Sequence, residues 1–140
     1  MARILTRIGE EWMNKNNLDD ETPDVGLYDD SVDDIQDPDN VEDITTEPSD
    51  GDYSRIAGIS VTVQNIDGDY GIANDNDIEI DVSGTSGDVD SYFFVAEFDS
   101  DEAGELGDHL VITGALSQSY ALDNLDTLTI SAGTAGVTVD

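Results

Sequence analysis

The residue pattern best suited to chemistry is Asn65-Ile66-Asp67-Gly68-Asp69-Tyr70-Gly71, which offers an oxygen ligand at every second position, as a calcium loop does. It departs from the EF-hand pattern: Tyr70 stands at the sixth position in place of Gly, and Asn76 at the twelfth in place of Glu. The cluster Asn74-Asp75-Asn76-Asp77 follows and could supplement the loop. Asp67, Asp69, Asp75 and Asp77 are therefore the candidate ligands for Ca²⁺ or Mg²⁺. A chain rich in Asp produces such clusters by composition alone, and loosely held Na⁺ or K⁺ is the commoner expectation. Nothing in the sequence requires a cofactor.

Catalytic groupings are harder to assemble. His109, the one histidine, sits beside Asp108 at the start of Leu110-Val111-Ile112. Neighbours on a strand point to opposite faces, so this pair reads as a structural or surface histidine. Ser and Thr are plentiful, yet no motif isolates one as a nucleophile, and no Gly-rich phosphate loop carries a Lys. Cysteine is absent, which excludes disulfides, a thiol nucleophile and a thiolate metal site. The expectation is a protein without catalytic residues, and not an enzyme.

Charge dominates what remains. Of 140 residues, 34 are Asp or Glu and four are Lys or Arg, giving a formal charge of −30 and a pI near 4.1. The acids are skewed, 25 Asp against 9 Glu. Arg3, Arg7 and Lys15 lie in the first 15 residues, and Arg55 is the only base after them. A domain so charged repels itself in dilute buffer, but at about 1 M salt the Debye length falls to about 3 Å and the repulsion is screened. The simplest reading is a protein built for concentrated brine. A disordered acidic chain is the bland competitor. Leu, Ile, Val and Phe number 35 of 140, a quarter of the chain, which lies above the roughly 20% below which disorder is the default. A cation buffer or nucleic-acid mimic stays open on composition. The same charge argues against binding nucleic acid or an anionic membrane. No apolar run approaches the roughly 18 residues that span a bilayer. The basic start is followed by Gly9-Glu10-Glu11 where a signal peptide would be apolar, so a soluble product without a targeting segment is expected.

The elements that would position these residues fall into three parts. In residues 1–16, Ile4, Leu5, Ile8, Trp12 and Met13 recur at helical spacing, which predicts a short N-terminal amphipathic α-helix. Either it packs on its own domain, or it is an attachment element docking on another subunit or protein through Leu5, Ile8, Trp12 and Met13, with Trp12 as the anchor. Residues 17–55 hold fifteen acids and only seven Leu, Ile or Val. They read as a short strand at Pro23–Tyr28 followed by an extended acidic arm or a long loop that buries little. Arg55, alone among acids, is expected to lock this stretch to the β domain or to a neighbouring subunit as a stability or assembly residue.

Residues 56–140 read as a β domain. Ile59, Val61 and Val63 alternate with polar residues, as do Ile78, Ile80 and Val82. Asp67-Gly68-Asp69 is a hairpin signal. Residues 92–98 form the most apolar run and the expected central strand. Further short strands are expected at 110–112, 116–122, 125–130 and 137–139. The fold expected is mostly β, an antiparallel β-sandwich or jelly roll.

Several short motifs resemble those of small structural proteins encoded among the virion genes of tailed viruses. They are Leu5-Thr6-Arg7-Ile8-Gly9-Glu10-Glu11-Trp12, Val25-Gly26-Leu27-Tyr28-Asp29-Asp30-Ser31, Asp43-Ile44-Thr45-Thr46-Glu47-Pro48, Tyr53-Ser54-Arg55, and a later aromatic strand followed by Leu110–Ser117. The resemblance spreads over most of the chain as scattered segments. It implies a non-enzymatic homo-oligomer on the virion of a virus of salt-loving archaea, with the major capsid protein or other virion proteins as partners. Capsid decoration or a turret comes first, and a tail or head–tail component second. The resemblance assigns no functional residue. A host halophilic module that binds a ligand, a carbohydrate or a cation, is the competing class.

Overall fold

The computed structural model describes residues 4–5, 23–36, 39–66, 69–100, 104–131 and 136–139. The described chain is mostly β, and every strand pairing in it is antiparallel. The strands are β1 (Ile4–Leu5), β2 (Asp24–Tyr28), β3 (Val61–Ile66), β4 (Asp69–Asn74), β5 (Ile78–Asp81), β6 (Asp88–Ser100), β7 (Glu105–Ala121), β8 (Thr127–Ile130) and β9 (Gly136–Val139). They form a four-stranded sheet in the order β1-β7-β6-β2, a three-stranded sheet β3-β4-β9 and the pair β5-β8.

The long β6–β7 hairpin is the centre of the molecule. Residues 91–96 are all buried, because both faces of β6 are covered over this stretch. A continuous apolar run marks such a strand, which is why Tyr92-Phe93-Phe94-Val95 does not alternate. On one face Tyr92, Phe94 and Ala96 join Val25 and Leu27 of β2 and pack against Ile78, Ile80, Leu128 and Ile130 of the β5–β8 pair. On the other face Phe93, Val95 and Leu110 join Tyr28 and meet Ile35, Val41 and Ile44. The alternation Ile78, Ile80 buried against Glu79, Asp81 exposed is that of a half-covered strand.

Two expectations are corrected here. Ile4 and Leu5, assigned to a helix from their spacing, are extended: β1 pairs Ile4 with Thr113 and Leu5 with Ile112. Backbone partners on the edge of β7 override a local helical pattern. The rest of that expected helix, with Ile8, Trp12 and Met13, lies outside the described residues. Of the two expectations for the acidic stretch, described residues 23–36 and 39–55 follow the long loop with a short strand, not the extended arm, and the loop buries more than expected. β2 is a full member of the main sheet, Val25 bridges to Ile56, and the residues between them fold over the Phe93 face. The four-residue helix α1 (Asp30–Asp33) opens this covering segment.

The acids themselves make that folding feasible. Asp29 caps α1 by accepting the Ser31 N–H, and Asp34 ends it in the left-handed region at φ 46°. Asp30 accepts from the Ile35 amide, Asp33 from those of Thr45 and Thr46, Asp39 from Gln36, and Asp43 from Asn40. Asp24, Asp50, Asp81 and Asp90 take the amides of Gly58, Ser86, Ser83 and Asp30. An irregular segment lacks ladder partners for its N–H groups, and the short Asp side chain supplies them locally. The excess of Asp over Glu thus has a structural cause besides charge.

Candidate functional site

The expected attachment residue Arg55 sits where the covering segment closes on the sheet. β2 and the residues before β3 run side by side, with Val25 and Ile56 exchanging backbone hydrogen bonds at 2.9 and 3.0 Å. This places Arg55 beside Glu47. The guanidinium donates through Nε to Glu47 Oε2 and through Nη2 to Oε1, both at 2.9 Å. Such a fork fits a planar guanidinium and a carboxylate, and holds direction as well as charge. The Arg55 Cζ also lies 5.2 Å from the centre of the Phe93 ring, within range for a cation–π contact. Tyr53 adds a third donor, its hydroxyl bonding Glu47 Oε2 at 2.7 Å while accepting the Leu27 N–H at 3.0 Å. The Glu47 bonds hold the Arg55 proton more tightly than usual. Burial, followed by the Glu47 carboxylate, pushes the Tyr53 phenol well up. Every group here is engaged with another, so the cluster acts as a clasp between the covering segment, β2 and β6.

A second cluster ties α1 to the sheet. The Tyr28 hydroxyl donates to Asp30 at 2.8 Å, and the Asp90 carboxylate of β6 accepts the Asp30 amide. Burial above all, with Asp30 adding to it, raises the Tyr28 phenol. Asp33 accepts from both the amides and the hydroxyls of Thr45 and Thr46. Desolvation pushes its carboxyl up, but those bonds together outweigh it and hold the group below its ordinary value.

His109 is buried, with Nδ1 3.1 Å from the side-chain amide nitrogen of Asn40. The same Asn40 accepts the Leu110 N–H at 2.8 Å and caps the 3₁₀ turn Val41–Asp43. His109 therefore lies within the packing between β7 and the covering segment.

Of the candidate ion ligands, Asp67 lies outside the described residues, and Asp69 begins β4 opposite Ile66. Asp75 accepts the Ser60 hydroxyl, and Asp77 is exposed. Asn74 is buried and donates to the carbonyls of Asn76 and Ser131, which makes it a brace between two turns. Among the described residues, no three His, Asp or Glu side chains are grouped closely enough to share an ion.

Glu47, Tyr53, Asp33 and Asn40 escaped the sequence reading. Their signals were present in part: Asn40 and Asp43 have the spacing of a capping box, and a lone base needs a carboxylate nearby. Among the described residues, no helix is long and apolar enough to cross a membrane. Comparison with known proteins adds no relative: no family model matches the chain, nor does any curated protein or solved structure.

Proposed function

We propose that this chain is a non-enzymatic structural protein of the virion of a tailed virus of salt-loving archaea, a capsid decoration or turret component that assembles as a homo-oligomer. One observation carries the reading. Three of the segments that resemble virion proteins touch one another in the fold. Asp29 of Val25–Ser31 bonds Thr46 of Asp43–Pro48, and Glu47 of the latter binds Tyr53 and Arg55 of Tyr53-Ser54-Arg55. The shared motifs thus make a framework, as expected where the common property is a shape presented to neighbours. The reading includes a sandwich arrangement of the sheets, supported by Phe94 and Ile80 belonging to one buried hydrophobic cluster.

The −30 charge fits the same role in brine, where a carboxylate surface keeps a densely displayed particle soluble. Multivalent display on a lattice also lets weak single contacts suffice. Light scattering of the purified protein in molar KCl tests the proposal. A defined oligomer that persists on dilution is the expected outcome; a strict monomer at all concentrations would remove its basis.

A further inference from the structure

We propose that the cleft between β7 and β8 is a binding site for a neutral saccharide ring. β7 leaves register with β6 here. Ala115 pairs with Ser91 and Tyr120 with Val89, so residues 116–119 of β7 stand opposite Asp90 alone. Asp90 is held by the Asp30 amide. An excess of this kind is a bulge, and bulges re-aim side chains beside functional sites. The bulged stretch of β7 is braced by Ser117 Oγ and Tyr120 OH, 2.9 Å apart. Its Leu116, Ser117 and Tyr120 form one wall of a cavity of about 180 Å³, with Leu128 and Ser131 opposite and Tyr92 also lining it.

The charge of this cleft sets it apart. No acid or base lines it among the described residues, in a chain where 34 of 140 residues are acidic. Apart from Tyr92, its described lining comes from residues 115–120 and 128–131, stretches without an acid or a base. A cation has carboxylates available almost anywhere else on the chain, and an anion is repelled by the net field. The lining mixes the apolar Leu116, Leu128 and Ile130 with the hydroxyl-bearing Ser117, Tyr120, Thr129 and Ser131, so a purely apolar ligand would match only part of it. A neutral ring with an apolar face and hydroxyl edges matches both Tyr120 with Leu116 and Leu128, and the Ser117 and Ser131 hydroxyls. The volume is below the roughly 300–1,000 Å³ that encloses a drug-sized ligand, so a single ring is the natural occupant.

The test is a titration of isotope-labelled full-length protein in molar KCl with glucose, galactose and mannose separately, followed by NMR. At least one sugar should give saturable shifts confined to Leu116, Tyr120 and Leu128, with a roughly millimolar dissociation constant. Tyr120→Ala should weaken binding about tenfold or more, and Tyr120→Phe less. Ser117→Ala, at an exposed position, serves as a second variant should Tyr120→Ala fail to fold, and should weaken binding by up to about tenfold. Absence of saturable shifts with all three sugars overturns the proposal. So does equal affinity for glucuronate, saturable binding of an uncharged Ser-rich peptide alone, or unchanged affinity in folded Tyr120→Ala or Ser117→Ala.

Discussion

Phe93 lies across Gly26 so closely that a Cβ built on the glycine would stand 2.4 Å from the ring's Cζ and 2.9 Å from Glu47 Oε2. The two residues are direct cross-strand partners of β2 and β6. The next residue of β6 toward its start repeats the device on the other side: Tyr92 covers Gly114 of β7, where a Cβ would meet its hydroxyl at 2.2 Å. Aromatic rings laid over cross-strand glycines pin strand register. They also bring the Phe93 ring to the place where Arg55 sits above it and Tyr28 meets it edge-on, at 5.8 Å and 71°.

Gly26→Ala should therefore destabilise the protein by about 1–3 kcal/mol, as overpacking of a filled site does. At roughly 3–4 °C per kcal/mol for a chain of this size, thermal melts in molar KCl should fall visibly. The near-UV circular dichroism of the aromatic cluster should change with them. An unchanged melting temperature would mean that the ring is free to swing away and that the close contact is unimportant.

These glycines explain where the sequence was legible and where it was not. The alternating strands around Ile59, Ile78 and Leu128 and the apolar run at 92–98 could be read directly, since each carries its own period. Residues 110–112 and 116–122 read as two strands because Gly114 looks like a break. In the fold they are one strand, β7, and the glycine is a seat for Tyr92. The acidic stretch hid its structure for another reason. Its order comes from carboxylates accepting amides several residues away, and hydrophobic periodicity does not register that. Ile35, Val41 and Ile44, too sparse to suggest a core, suffice because Phe93 and Val95 supply the rest of it. The isolation of Arg55 among acids marks it as a lock, while its partner Glu47 and the ring beneath it come only from the tertiary fold.

The clasp should depend on guanidinium shape more than on charge. Arg55→Ala is expected to lower stability by about 1–2 kcal/mol, the range for a charge-assisted bond discounted for partial exposure. Arg55→Lys should recover less than half of that, because an ammonium reproduces neither the fork to Glu47 nor the flat contact with Phe93. Urea or guanidinium midpoints for the two variants and wild type decide the matter. Full recovery by Lys would reduce the clasp to simple charge pairing.

Salt should act on the whole molecule in the stabilising direction. With −30 formal charges, the folded state concentrates repulsion that the unfolded chain relieves. Raising KCl from about 0.1 to 1 M shortens the screening length from about 10 to 3 Å, and the melting temperature should climb throughout that interval. Repetition in tetramethylammonium chloride separates screening from cation binding. A rise seen with K⁺ and absent with the bulky cation would place the effect in bound ions.

Acid should undo the fold partly through Asp33. Its carboxyl is held below the ordinary value by Thr45 and Thr46 against an opposing desolvation. A group whose folded pKa is lowered contributes stability that is fully present above its unfolded value, about 3.9. That contribution is lost as pH falls through the lower folded value. Asp50 and Asp81, also held low by bonds from Ser86 and Ser83, act on the same limb, but they are common to wild type and an Asp33 variant and drop out of the difference. Asp33→Asn should thus melt below wild type at pH 6, where the carboxylate bonds matter. The gap should narrow as pH drops below about 4, because protonated Asp33 loses the acceptor strength that set wild type apart. Melts of both proteins in molar KCl between about pH 6 and 2.5 measure that gap directly. A gap that stays constant across the range would show that Asp33 contributes through its shape alone, and that the threonine bonds do not favour its charged form.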